Sequence, residues 1–185
     1  MPARATASTF AVLLCTALAA CKSAPVDPTA NVPLRPVESA RAGERPPAAL
    51  APALGNVPAD ERAPHTATRI MLSDLSQIER DGSAPAVIEL RIDALDEKRA
   101  AAVLAGDLRV IVRCDAADPC YLAFDAMLAT KRQVAQHTDP TLGQVVILLE
   151  PRWEKEPARG DPMTITATFT GLDGKVIEST LRLAW

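Results

Sequence analysis

The residues of this chain that could do chemistry are few and scattered. Trp153 stands in a proline-bounded segment with Glu150, Glu154 and Glu156 around it. Carboxylates so placed suit acid–base work or Ca²⁺ binding, and a tryptophan between them suits recognition of a small ligand or a polysaccharide. A solvated loop anchored by its tryptophan explains the same residues more simply. Trp153, Glu150 and Glu154 are nonetheless the candidate binding residues, because function concentrates in loops at the ends of a scaffold. His137 falls near the end of a predicted short helix and His65 in a proline-rich stretch, contexts too different to make a metal set or a nucleophile–base pair. No Gly-x-Ser-x-Gly elbow occurs. Cys114 and Cys120 are six positions apart in the chain, unlike the Cys-x-x-Cys of oxidoreductases, and no histidine adjoins them. Arg159-Gly160-Asp161 spells an adhesive tripeptide, but three common residues in a turn arise readily by chance. No catalytic residue, metal or cofactor is expected.

Composition narrows the field in the same direction. The net charge of −3 excludes an electrostatic nucleic-acid binder, and 3% aromatic residues leave few stacking platforms. From Thr66 onward 14 basic and 18 acidic residues are interspersed along the chain, so no patch favours nucleic acid or lipid headgroups.

Phe10 to Ala20 is an uncharged apolar run, too short to span a bilayer but long enough for the apolar core of an export signal. It ends in Leu18-Ala19-Ala20-Cys21, followed by the polar Lys22-Ser23. This segment resembles the lipobox of bacterial lipoproteins. The resemblance implies removal of residues 1–20, diacylglyceryl attachment to the Cys21 sulfur, and acylation of the new amino group. Two or three acyl chains anchor a protein stably where one does not, so the membrane is the first expected partner. Lys22 after the cysteine, rather than aspartate, points to the outer membrane, facing the periplasm.

Lys22 to His65 holds 9 of the 16 prolines in 44 positions, with five basic and five acidic residues. Such a segment lacks the donors for helix or central strand and shows no apolar periodicity. With Cys21 it reads as a lipidated, disordered tether, residues 21–65, reaching roughly 40 Å as a coil.

Thr66 to Trp185 is the size of one domain and reads as strands. Ile88, Leu90, Ile92 and Ala94 alternate with Glu89, Arg91 and Asp93; Leu108, Val110, Val112 and Cys114 repeat the pattern; Met163 to Phe169 alternates with threonines. Val145 to Leu149 is apolar on both faces, as in a doubly covered strand. Tyr121–Asp125, Val176–Trp185 and Thr68–Leu75 bring the count to seven. The final hairpin can be registered. A two-residue Asp173-Gly174 turn would set Phe169 against Glu178. A three-residue loop, Leu172 to Gly174 with Gly174 left-handed, instead sets Phe169 against Ile177, Ile165 against Leu181, Met163 against Leu183 and Thr164 against Arg182. Only the longer loop keeps each face uniform. Thr130-x-x-Gln133 is a capping box opening a helix over Lys131–His137. Glu97 to Ala105 is either a short helix stopped by Gly106 or an irregular connection.

The expected fold is therefore all-β: one antiparallel β-sandwich of about seven strands with one or two short helical turns. With the lipobox and tether before it, the chain resembles bacterial lipoproteins carrying an immunoglobulin-like or fibronectin-type-III-like domain. Export places Cys114 and Cys120 in a disulfide-permissive compartment once Cys15 has left with the signal and Cys21 is lipidated, and a bridge between them would staple a hairpin, contributing about 2 kcal/mol. The functional expectation is a non-catalytic interaction or structural module of the cell envelope with a protein partner. Ligand or polysaccharide binding through the Trp153 loop is the alternative, and a hydrolytic enzyme the least supported.

Overall fold

A computed structural model of the chain describes residues 33–41, 57–82, 84–115 and 120–185; the side chains of residues 38–41 and 120 are outside that description. The expected signal segment, Cys21 and the start of the tether lie outside the described residues. The order of elements is β1 (Glu38–Arg41), β2 (Arg69–Leu72), β3 (Gln77–Glu79), β4 (Val87–Leu95), β5 (Gly106–Cys114), β6 (Cys120–Met127), α1 (Lys131–His137), β7 (Val145–Leu149), β8 (Pro162–Gly171) and β9 (Val176–Ala184).

Two antiparallel sheets face each other. The larger runs β1-β6-β5-β8-β9. In the smaller, β4 pairs with β7 along one edge and with β2 and then β3 along the other, because residues of β4 that meet β7 also meet β2 or β3. All the expected strands are present, and the alternation chose their inner faces correctly. Ile88, Leu90, Ile92, Leu108, Val110, Val112, Met163, Ile165, Ala167 and Phe169 are fully buried between the sheets. The fold is an all-β sandwich.

The last hairpin has the expected three-residue loop. Phe169 pairs with Ile177, Ile165 with Leu181, Met163 with Leu183 and Thr164 with Arg182, and Gly174 adopts φ +78°. The loop closes through the Gly171 N–H, which donates to the Lys175 carbonyl at 2.8 Å. Helix α1 begins as its capping box requires: Thr130 Oγ1 accepts the Gln133 N–H at 3.1 Å, and Gln133 Oε1 accepts the Thr130 N–H at 3.0 Å.

Three features go beyond the sequence reading. Glu97 to Ala105 is not helical. Asp96 Oδ1 accepts the N–H groups of Lys98 (2.8 Å) and Ala100 (2.9 Å), holding a turn in which Arg99 is left-handed at φ 65°. A side chain that binds its own downstream backbone competes with helix nucleation, and here it wins. Secondly, two stretches inside the expected tether pack on the sandwich. Leu34 bridges β7, its N–H donating to the Leu148 carbonyl at 2.7 Å, and β1 then pairs with β6. Ala63 is buried, and its N–H donates to the Ala129 carbonyl at 3.0 Å. Thirdly, Cys114 and Cys120 are register partners across the β5–β6 hairpin, and the Cys114 side chain is buried.

In the larger sheet Gly106 of β5 faces Gly171 of β8. A Cβ on Gly106 would lie 2.2 Å from the Thr170 carbonyl oxygen and 2.7 Å from the Phe169 ring. Gly106→Ala should therefore cost at least about 2 kcal/mol of unfolding free energy by urea denaturation. Gly143→Ala, at φ +68° but with open space around it, should cost about 1 kcal/mol. Equal losses at the two sites would show that close packing at Gly106 is not what excludes a side chain.

Candidate functional site

The sandwich offers two ends and one open edge. One end gathers the Trp153 segment, the chain terminus and the turn between β3 and β4. Trp153 packs edge-on against Trp185, with ring centroids 5.9 Å apart and planes at 87°. The Arg80 guanidinium lies over the Trp185 ring at 4.6 Å, a cation–π arrangement. Trp185 is 5% exposed. The Arg159-Gly160-Asp161 turn holds this end together. Gly160 donates to the Trp185 carbonyl at 2.7 Å, Trp185 donates to the Asp161 carbonyl at 2.8 Å, and Asp161 Oδ2 accepts the Ala158 N–H at 2.8 Å. That tripeptide is a clamp on the last residue, with its aspartate turned to its own backbone.

Trp153 is thus half-buried packing rather than an open platform. Glu150 is paired with Arg152 at 2.9 Å and with Arg35 at 3.8 Å, while Glu154 is exposed. The structure brings Trp153 to Trp185 and Arg80, not to a pair of free carboxylates. The indole Nε1 atoms of both tryptophans and Nη2 of Arg80 are buried without a hydrogen-bond partner among the described residues.

The opposite end holds a cleft of about 440 Å³ lined by Ala63, Ala102, Leu104, Val134, Ala135 and Val145 among others. Lys131 is its one charged lining residue, and its Nζ donates to the Asp60 carbonyl at 3.0 Å. A ligand site pairs an apolar wall with convergent polar groups; the other polar side chain in this lining, Thr138, donates its hydroxyl to the Val134 carbonyl at 2.7 Å. His137 is beside the cleft end, with Nδ1 3.3 Å from the Val146 carbonyl. Among the described residues no group of three His, Cys, Asp or Glu is placed to hold a metal ion, and none of their helices is long and apolar enough to cross a membrane.

Two polar clusters escaped the sequence reading because their members are far apart in the chain. On the outer face of β4, Arg91 binds Glu89 through Nε at 2.6 Å and Asp139 at 3.2 Å, and Gln144 donates to Asp93 at 2.9 Å. Asp139 also accepts the backbone N–H groups of Leu142 and Thr141, chiefly the former, which hold its carboxyl below its ordinary range. The cluster fastens the 139–144 loop across the smaller sheet. On the larger sheet Arg109 lies 3.5 Å from Asp125. Burial, and then the Asp125 charge, push the nearby Asp107 carboxyl upward.

His65 belongs to the core wall. Its ring stacks on Phe169 at 5.4 Å and 28°, and Nδ1 accepts the Ala105 N–H at 3.3 Å. Gly171 leaves it room, since a Cβ there would stand 2.8 Å from His65 Nε2.

The open edge is β9. Trp185 and Lys175 direct their backbone groups to Asp161 and Gly171, so the odd-numbered residues of β9 face β8. The even-numbered ones, Val176, Glu178, Thr180, Arg182 and Ala184, turn their N–H and C=O groups away from the sheet. All of these residues are exposed. Comparison with protein-family models, curated proteins and solved structures gives no match.

Burial is the largest influence on His65 and lowers its pKa, only partly offset by the Asp173 charge. A pKa lower in the folded chain than in the unfolded one means that the unfolded chain binds the proton first. Stability should therefore be intact above the unfolded value of about 6.5 and fall as pH drops below it. Urea midpoints from pH 7.5 to 5 should decline for the native chain and stay flatter for His65→Gln, which keeps an acceptor for Ala105. Parallel profiles would remove His65 from the explanation.

Proposed function

We propose that this chain is a lipid-anchored lipoprotein of the cell envelope whose β-sandwich is a non-catalytic interaction module, and that β9 is its working edge. The observation that carries the reading is the row of outward N–H and C=O groups on that strand, the arrangement by which an extended segment adds to a sheet. Edge strands are usually blunted by shortness, proline, bulges or a covering element. β9 pairs with β8 over nine consecutive residues without a break and contains no proline.

The address rests on Leu18-Ala19-Ala20-Cys21. The immunoglobulin-like or fibronectin-type-III-like classification is supported by the division of strands. β2, β4 and β7 form one layer and β6, β5, β8 and β9 the other, with β6, the strand that follows β5, in the larger sheet. The cross-strand register of Cys114 with Cys120 supports a disulfide in the mature, exported protein, because directly paired residues bring their Cα atoms within bridging range. Labelling under denaturing, non-reducing conditions should then modify neither cysteine; modification of both would rule the bridge out.

The anchor and the edge are tested together in intact envelopes. Cys21→Ser should move the protein out of the lipid-modified membrane fraction. Thr180→Pro removes one outward N–H from an edge strand, where proline is tolerated, and should abolish crosslinks formed by the native chain while leaving its membrane attachment unchanged. Retention of those crosslinks would show that β9 is not the interaction edge.

A further inference from the structure

We infer that the partner of the β9 edge is a second copy of this chain, joined antiparallel about a two-fold axis at Thr180. The inference rests on the interaction-module reading and commits that edge to one occupant.

The other sheet edges are already managed. Leu34 bridges β7 at Leu149, and the larger sheet ends in β1, only four residues long. The outer edge of β4 is split into the four residues of β2 and the three of β3, interrupted at Ser73–Ser76. Where β2 adjoins β9, the meeting is not a ladder: the Leu72 N–H donates to the Ser179 side chain at 3.0 Å. Among the described residues, β9 is the long edge left with a regular row of backbone groups.

An incoming antiparallel strand must set outward-facing residues against outward-facing residues, which limits the registers to a few. Self-pairing centred on Thr180 places Glu178 opposite Arg182 of the second copy, Arg182 opposite its Glu178, Thr180 opposite Thr180, and Val176 opposite Ala184. Shifting the centre to Ser179 or Leu181 leaves Glu178 facing Thr180 or Ala184 and loses both charge pairs. Opposite charges across a strand pair stabilise it and like charges oppose it. Arg182 makes no ion pair or hydrogen bond among the described residues, and Glu178 holds only the Thr168 hydroxyl, at 3.2 Å. On the other face the same register sets the half-buried Ile177 against Leu183 of the second copy, covering apolar surface that the edge leaves half open. A two-fold axis perpendicular to the sheet keeps outer face with outer face, so the two larger sheets become one.

The test is sedimentation of the detergent-solubilised full chain at concentrations up to about 1 mM. The native chain should dimerise, and more weakly as salt is raised. Glu178→Arg or Arg182→Glu alone should weaken the dimer roughly tenfold or more, since each turns two attractive pairs into two repulsive ones. The double variant Glu178→Arg with Arg182→Glu should restore it to within roughly threefold. Thr180→Pro should abolish it. A native chain that stays monomeric, a dimer indifferent to Thr180→Pro, or a double variant no better than the single ones would overturn the inference. A monomeric chain whose envelope crosslinks still vanish with Thr180→Pro would overturn self-pairing alone and leave β9 as the edge for a different protein. A monomeric chain whose crosslinks persist would remove both readings.

Discussion

Backbone groups along the rim of a sheet must find partners or face water, and the architecture of this chain is organised by how its sheet edges meet that requirement. One side of the sandwich is closed by a single extended stretch. Leu34 satisfies the edge of the smaller sheet, and a few residues later β1 satisfies the edge of the larger one. The switch occurs across Pro36, which has no N–H to strand between the two. On the opposite side β2 approaches β9, where among the described residues a single hydrogen bond, from the Leu72 N–H to the Ser179 hydroxyl, joins them. The sandwich is therefore sealed along one flank and open along the other, and the core can remain dry because Ile70, Leu72 and the inner residues of β9 pack where the ladder is missing.

The parts of this fold that were legible from the chain are those where one local rule had a single solution. In the final hairpin, setting Phe169 against Glu178 is physically poor and setting it against Ile177 is not, so the loop length followed from side-chain chemistry alone. Thr130 and Gln133 announce their helix because each satisfies the other's backbone. Glu97 to Ala105 was ambiguous for the opposite reason. Its residues favour a helix individually, whereas Asp96, just outside the window, captures the next backbone donors first. β1 has neither alternation nor strand-forming residues. It is a strand because β6 presents an edge, and that fact exists only after the rest has folded.

The same distinction explains the candidate site. Trp153 looked like a recognition residue because carboxylates surround it in sequence, but its structural neighbours are Trp185 and Arg80, which no local window contains. His65 was read as tether because prolines precede it, yet it stacks on Phe169 and takes a backbone donor from Ala105. The edge proposed for interaction is the strand whose outer residues looked ordinary. An edge of threonine, glutamate and arginine carries no motif. Its significance depends on which flank is already closed.

Closing that flank also changes what an anchor at Cys21 would do. Read from composition, the tether extends to His65 and gives the domain a long leash. With Pro33 to Arg41 laid on the sandwich, only eleven residues separate Cys21 from the first packed segment, a span of at most about 40 Å even fully extended. A domain held so near its membrane is confined to a thin layer. Two copies in that layer meet at an effective concentration well above their average in the compartment, as linked partners do. A weak contact of strand edges can be populated there while remaining hard to detect in dilute solution. Short tether and modest edge are thus consistent with each other: an anchor at Cys21 would supply concentration, and the proposed β9 edge would supply register.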